Sequence, residues 1–555
     1  MNGQSARRAK SGIIGTRQHF ERNNFTVVPI IAKKMAAVLN TICFKSPEGI
    51  GTPSLSGLFQ PHLNLQEELH RKERRSYYDT FEWRCFEHQT AVVVKNRTIS
   101  LLDLQSGVES APLSLKTSPS HFLPSILPPG TIRNRLESLA GLRALMKRCT
   151  IESDMVAFRI LDRIEKTTGF LFAETLFLIK GTRKERISGL ITLKPLKGFH
   201  DDIFIISRAL EEHFGTENRL DVKSVFRLLM DSAGLRVNDY NPKINLSLRP
   251  GNPVRISAAE LLLFTHGIMK CNEPGILGNI DTEFLHDYRV ALRRTRSLLS
   301  QIKGIFPPEI ILRYRQAFSD IGKKCNTLRD CDVYMLKQTA YFDTLPPLLA
   351  VHLSPFFGEL EATRKVELKR FSDFLRSKTY RTMLDEWQLL LKDVLSAPGT
   401  ERESDPGQEE SISVAVKTIG KAWKKVIRHG RAIPAEASDS ELHALRIDCK
   451  KLRYLLEFFS SLFPEKTIGP VVRHLKELQE NLGAFVDLAV QQHALYRYID
   501  SMKTKPANPE LAAALGGLIV MLHRQQEKER KAFNQTFRRF DNDETETLVT
   551  ELLNR

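Results

Sequence analysis

The pattern of apolar and polar positions divides the chain into two parts with different periodicities. Between residues 56 and 215, short apolar runs alternate with polar positions at the two-residue period of strands. The predicted strands lie at 91–94, 99–104, 156–161, 169–179 and 189–193. Helical spacing occurs at 136–147 and 203–214. The pattern therefore predicts an α+β domain over residues 56–215.

Beyond residue 254 the pattern changes to long stretches with an apolar residue at every third or fourth position, which predicts helices. A polar segment rich in glycine and proline interrupts these helices and predicts a loop. We expect this division of the remaining chain: a basic, disordered leader at 1–55, a connector at 216–253, a first helical repeat at 254–397, a linker loop at 398–410, a second repeat at 411–540 and a tail at 541–555.

Two segments of the helical part repeat each other. The segment at 285–296 reads LHDYRVALRRTR, and the segment at 442–453 reads LHALRIDCKKLR. A constant offset of 157 residues aligns His286 with His443, and it still aligns Asp330 with Asp487. An offset that persists over this length predicts a duplicated helical hairpin.

The repeated residues form a basic stripe on a helix. At about 100° per residue, His286, Arg289, Arg293 and Arg296 fall within less than a quarter-turn. In the second copy the corresponding residues are His443, Arg446, Lys450 and Arg453. Like charges one turn apart repel, and guanidinium groups bind phosphate oxygens through paired donors. The stripes predict a groove for a linear polyanion, although solvated basic faces with structural histidines are an open alternative.

Composition narrows the class of partner. The chain has 82 Lys and Arg against 65 Asp and Glu, a net charge of +17, which favours a polyanion. Its seven cysteines form no CxxC pair, so we expect neither a disulfide framework nor a zinc site, and we expect a reducing cytoplasm. The sequence has no stretch of 18 apolar residues to span a membrane. It predicts no metal, no cofactor and no catalytic residue.

The helical part resembles the CHAD family, the conserved histidine α-helical domain. The resemblance covers about residues 254–540 and rests on LHDYRVALRRTRS, TLRDCDVYM and LHALRIDCKKLRYLLEFF. It implies an all-α domain of two pseudo-symmetric four-helix bundles whose basic cleft binds inorganic polyphosphate. It also implies a cytoplasmic protein that associates with polyphosphate granules.

Under this interpretation the polyphosphate-binding residues are cations or histidines on the repeated helices, their flanks and the helices that follow. They are His286, Arg289, Arg293, Arg294, Arg296, Lys303, Lys323, Lys324, His443, Arg446, Lys450, Lys451, Arg453 and Lys476. Asp330 and Asp487 are expected to orient arginines of the stripes, because two isolated aspartates make a poor magnesium site.

The first part resembles a degenerate CYTH domain of the triphosphate tunnel metalloenzymes. The matching text is SYYDTFEW (76–83), RILDRIEKTTGFLFAET (159–175) and LKPLKGFHDDI (193–203). The resemblance implies an antiparallel β-barrel or tunnel. The family's ExExK motif is missing before Tyr77, which removes the metal ligands that hydrolysis requires. We therefore expect a non-catalytic protein. A triphosphatase in this part is one alternative, and nucleic-acid binding, which only the net charge favours, is the second.

Overall fold

The computed structural model describes residues 41–46, 64–117, 119–196, 199–396, 405–434, 437–502 and 508–554. The chain folds as two compact units, residues 1–240 and residues 241–555. The first unit is built around an antiparallel sheet, and the second is helical. The change from strand periodicity to helical periodicity in the sequence corresponds to this division.

The sheet of the first unit has ten strands among the described residues. They are β1 (Ile42–Ser46), β2 (Asn64–Asp79), β3 (Thr90–Lys95), β4 (Thr98–Asp103), β5 (Leu113–Ser114), β6 (His121–Phe122), β7 (Leu145–Leu161), β8 (Thr167–Lys180), β9 (Arg183–Pro195) and β10 (Arg219–Leu220). Their order is β10-β1-β9-β8-β7-β2-β3-β4-β5, and β6 pairs with β7. The order leaves β10 and β5 as two ends, so the sheet of the described residues is open and not the closed barrel that the resemblance implies.

The described part of this unit contains four α-helices: α1 (Arg84–Glu87), α2 (Thr131–Ala140), α3 (His200–Phe214) and α4 (Val222–Ser232). Helix α4 buries Phe226, Leu229 and Met230 in the same core as the inner face of the sheet. This corrects two predicted boundaries. The helical piece of the expected connector belongs to the first unit, and β1 lies within the range expected to be a leader. The predicted helix at 136–147 is also wrong beyond Ala140, since Gly141 ends α2 with a φ of 59°.

The second unit consists of thirteen helices over its described residues. They are α5 (Val254–Leu277), α6 (Thr282–Gln301), α7 (Pro308–Lys324), α8 (Asn326–Leu336), α9 (Gln338–Thr344), α10 (Pro347–Ala350), α11 (Ser354–Arg376), α12 (Lys378–Ser396), α13 (Ser411–Arg431), α14 (Asp439–Phe458), α15 (Glu465–Met502), α16 (Pro509–Phe540) and α17 (Asp543–Leu553). The expected tail at 541–555 therefore contains a helix, which buries Val549 and Leu552. Within the described ranges, none of these helices is both long and apolar enough to cross a membrane.

The two copies begin alike and then diverge. The Asp281 side chain accepts hydrogen bonds from the first turn of α6, and Ser438 and Glu441 form a reciprocal cap at the start of α14. After the turn that follows, the second copy continues as the 38-residue helix α15. In the first copy the equivalent stretch is interrupted at Cys325 and Lys337 and forms α7, α8 and α9. The copies therefore match in the helices that carry the stripes and differ around them.

Candidate functional site

The stripes lie on the helices that the periodicity predicts, with their apolar sides in the core. On α6, Tyr288, Leu292 and Leu299 are buried, while Arg289 and Arg293 are half-buried. On α14, the equivalent positions are occupied by Leu445, Cys449 and Leu456, and all three are buried. The hydrophobic face thus fixes the rotation of each helix and directs its cations away from its own core.

The two stripes converge, and Lys450 shows this most directly. The pKa of Lys450 is lowered to about 8, first by burial and then by the positive charges of Arg446, Arg293 and Arg453, against the opposing charge of Asp487. Arg293 belongs to α6 of the first copy, whereas Lys450 belongs to α14 of the second. A charge on one copy therefore acts on a charge of the other through a poorly solvated space. We call Arg289, Arg293, Arg446 and Lys450 the cationic cluster.

The helices that follow hold one arginine of each stripe. Arg289 Nη1 donates to Asn326 Oδ1 over 2.9 Å and to Cys325 Sγ over 3.0 Å. Arg446 Nη2 donates to Asp487 Oδ1 over 2.9 Å. The Nε donors of both arginines are buried, and neither has an acceptor among the described residues. Since a buried unsatisfied donor costs about 1–3 kcal/mol, both positions favour the arrival of an acceptor.

Two other predicted residues are bound to one internal carboxylate. Glu457 Oε2 lies 2.9 Å from Arg294 Nη2, and Glu457 Oε1 lies 2.6 Å from Arg453 Nε. Arg294 also donates to the carbonyl oxygen of Pro242 over 2.6 Å, and it is only 7% exposed. The sequence analysis predicts Arg294 as a ligand-binding residue; in the fold its side chain contacts Glu457 of the other copy. Arg453 is half-buried and shares its charge with Glu457.

The other predicted cations lie outside the cluster. Arg329 Nη2 lies 3.0 Å from His286 Nδ1, a neighbour that the sequence analysis did not identify. His443 and Arg296 are exposed. The remaining lysines are exposed as well, two of them in ion pairs with acids on their own helices: Lys303, Lys323, Lys324, Lys451 and Lys476.

The two aspartates have different environments. Asp487 accepts the hydrogen bond from Arg446, the kind of contact expected of an orienting residue. Asp330 is exposed and forms no hydrogen bond with a stripe arginine in the part of the chain that is described. The buried acid of that segment is Asp332, which binds Arg364 at 2.6 Å. The aligned position therefore does not have the same contact in both copies.

The first unit contains a separate cavity of about 230 Å³ on one face of its sheet. Its carboxylates are engaged by cations. Glu174 pairs with Arg75 and accepts a hydrogen bond from Ser153 at 2.8 Å, and Glu109 lies 2.9 Å from Lys95. No cluster of three or more His, Cys, Asp or Glu side chains suitable for a metal occurs among the described residues.

The family model of the CHAD domain matches residues 266–496, a range that contains both stripes and all four residues of the cationic cluster. These residues form a CHAD domain. The crystal structure of the CHAD domain from the plant Ricinus communis is 20% identical, with a TM-score of 0.44 over 53% of this chain and 95% of the other. PptA from Streptomyces chartreusis is 15% identical, with a TM-score of 0.40 over 52% and 99%. No curated protein sequence matches the chain.

Proposed function

We propose that the CHAD domain binds inorganic polyphosphate at the cationic cluster, without catalysis, in a cytoplasmic protein that associates with polyphosphate granules. The observation that carries the proposal is the half-buried Lys450 of α14, whose pKa is lowered by burial and by the charges of Arg446 on its own helix and Arg293 on the other copy. Such an arrangement is costly without an anion, because low solvation strengthens the repulsion. A phosphate chain would neutralise these charges and supply acceptors to the two unsatisfied Nε groups.

The chemistry around the cluster favours phosphate over nucleobases. Single-stranded nucleic acids bind to aromatic side chains on which bases stack. The aromatic residue nearest in sequence to Arg289 is Tyr288, which is buried and hydrogen-bonded to Tyr380 over 2.9 Å. A ligand at the cluster would therefore meet guanidinium and ammonium groups and no free ring of Tyr288.

The non-catalytic part of the proposal draws support from the cavity of the first unit. Glu174 and Glu109 already neutralise Arg75 and Lys95 there. A triphosphatase would need carboxylates that are available to divalent cations. We expect phosphate release from tripolyphosphate, with magnesium or manganese, to stay at the level of the blank. Release above the blank would favour the triphosphatase alternative.

The binding test compares two charge reversals in the full chain. Arg293→Glu with Lys450→Glu places two negative charges in the cluster. Lys369→Glu with Lys392→Glu changes the net charge equally at exposed lysines on α11 and α12. In a filter-binding titration with long-chain polyphosphate at fixed salt, we expect the first pair to abolish retention and the second to leave most of it. Equal loss in both would mean that net charge alone holds the ligand.

The competing partner is tested in the same assay. Double-stranded DNA at matched charge concentration should displace polyphosphate poorly. The salt concentration is matched as well, because the affinity of both complexes depends on salt. If DNA competes as well as unlabelled polyphosphate does, the cluster is a general polyanion site and the proposal is wrong in its ligand.

A further inference from the structure

The cavity of the first unit lies between one face of the sheet and a helix. Strand β2 contributes every second residue from Arg71 to Tyr77 to its lining, and β9 contributes every second residue from Leu190 to Lys194. Because successive side chains of a strand point to opposite faces, these positions share one face. Helix α4 covers that face with residues 222, 225, 226 and 229, which have the spacing of one side of a helix.

The lining of the cavity is apolar at one end and charged at the other. Leu190 of β9 belongs to the same buried core as Phe226 and Leu229 of α4. The Tyr77 ring packs there, with its centre 5.8 Å from the centre of the Phe226 ring. Lys194 follows Leu190 by four residues on the same strand, which is about 13 Å at about 3.3 Å per residue. A ligand that spans the cavity would therefore meet hydrocarbon at one end and an ammonium group at the other.

The charges that line the cavity do not balance. The described lining contains four cations and three carboxylates: Arg71, Arg75, Lys95, Lys194, Glu73, Glu109 and Glu174. Glu73 lies 3.0 Å from Arg75 and 3.5 Å from Arg71. Glu174 also pairs with Arg75, and Glu109 lies 2.9 Å from Lys95. The three carboxylates are thus engaged by three of the cations, which leaves one positive charge in surplus.

Lys194 carries this surplus charge. It is half-buried, and over the described ranges it forms no ion pair. Its Nζ atom lies 5.5 Å from the centre of the Phe172 ring. Burial lowers the pKa of Lys194, while the charges of Glu109 and Glu174 raise it from beyond ion-pair distance. Since a charge removed from water is costly without a partner, this position favours the arrival of an anion.

Charge and size together define the class of ligand. A single surplus ammonium suits a single negative charge. A phosphate monoester carries about −1.5 to −2 charges near pH 7, and its second charge would face the carboxylates of the lining. The cavity, at about 230 Å³, is smaller than the roughly 300–1,000 Å³ of sites for drug-sized ligands, so the ligand is small. The apolar end requires a hydrocarbon body.

We propose that the cavity of the first unit binds a small organic monocarboxylate, with its carboxylate at Lys194 and its hydrocarbon body toward Phe226 and Leu229. This proposal does not depend on polyphosphate binding, because every residue of the lining belongs to the first unit. The chain would then have two anion sites of different chemistry. The cationic cluster takes an inorganic polyanion, and the cavity takes an amphipathic monoanion.

The test titrates the full chain with straight-chain carboxylates by isothermal titration calorimetry. We expect octanoate to bind at a single site, with an affinity that rises from acetate to octanoate by about fourfold for each buried methylene group. Octylamine has the same hydrocarbon body with the opposite charge and should not bind. Lys194→Met should lower the affinity for octanoate at least about tenfold, because the carboxylate loses a hydrogen bond to a charged group.

Two variants serve as controls. Lys194→Arg keeps the charge and should keep most of the affinity for octanoate. Lys180→Met removes an exposed lysine of β8 that does not line the cavity, and it should leave the affinity unchanged. Far-ultraviolet circular dichroism establishes that Lys194→Met is folded, and the comparison of octanoate with octylamine in the wild-type protein requires no variant.

Several outcomes would overturn the proposal. One is the absence of octanoate binding, and another is equal binding of octanoate and octylamine. A folded Lys194→Met that keeps the wild-type affinity for octanoate would show that Lys194 does not hold the carboxylate. If tripolyphosphate displaces octanoate, the cavity is an oligophosphate site and the proposal is wrong in its ligand.

Discussion

Replacing Glu457 with glutamine is expected to lower the free energy of unfolding by about 3 kcal/mol, because two arginines then lose their shared carboxylate. The side chains of Arg294 and Glu457 are only 9% and 18% exposed. Removing one member of a buried pair costs about 3–5 kcal/mol, and the partial exposure of Glu457 places this case at the lower end. The glutamine keeps the size of the side chain, so the loss reports charge and not a cavity.

Urea unfolding followed by far-ultraviolet circular dichroism measures the effect. The control is Glu480→Gln, which breaks the exposed pair with Lys476 at 3.6 Å and should cost less than about 1 kcal/mol. The double variant Arg294→Met with Glu457→Leu should recover most of the stability, since apolar replacements can substitute for a buried ion pair. If Glu457→Gln and Glu480→Gln cost the same, Glu457 does not hold the two copies together and the reasoning is refuted.

Three further predictions concern the same domain. The pKa of Lys450, lowered to about 8 mainly by burial, should rise when a polyanion binds, so that binding near pH 8 takes up protons and the affinity falls as the pH rises through 8. Calorimetry in buffers of different ionisation enthalpy measures the proton uptake, and Lys450→Arg should abolish it. Without ligand, the unfolded lysine retains its proton between about pH 8 and 10 when the folded one does not, so this residue's contribution to stability rises with pH in that window. Gly275→Ala should destabilise the protein by about 1–3 kcal/mol in urea titrations, because the added Cβ would lie 2.1 Å from the Phe284 ring. Gly267→Ala on the same helix would place its Cβ where no neighbour lies within 4 Å, so it should stabilise the protein by about 0.5–1 kcal/mol. The reverse order of stabilities would contradict the packing. Of the seven thiols only Cys271 is exposed, so Ellman's reagent should titrate one thiol rapidly in the native protein and none in Cys271→Ser.

The sequence predicted the parts of the site that depend on local periodicity. The stripes and the buried face that includes Tyr288 follow from the helical spacing and from the repeat. The burial of Arg294 and its ion pair could not be predicted in this way, because its partner Glu457 lies 163 residues further along the chain. On the helical wheel Arg294 looks like any flanking cation, and only the packing of α6 against α14 distinguishes it from Arg293.

Strand β2 shows a second limit of sequence patterns. Its text, QEELHRKERR, contains few apolar residues and was not predicted as a strand. In the fold it pairs with β7 along nearly its whole length. Side chains also join the two strands: Arg74 forms an ion pair with Glu152, and His70 forms a hydrogen bond with Asp154, both at 2.6 Å. The residues that stabilise β2 belong to another strand, so the hydrophobic pattern of β2 itself does not indicate a strand.

Helix α13 carries exposed cations at Lys417, Lys421, Lys424 and Arg428, whereas the positions of α5 that the 157-residue offset aligns with them carry no positive charge. This difference bears on how a duplicated domain can change. Helices α6 and α14 contribute to one shared cluster, so a substitution in either is felt by both halves of the molecule. The first helices of the two copies, α5 and α13, do not carry the stripes. A substitution on the surface of one of these outer helices can therefore change one half of the domain without changing the other. We expect the outer helices to be the place where relatives of this protein acquire individual properties. They are also where an engineer could give the first copy a matching basic surface by placing lysines at positions 260, 264 and 271.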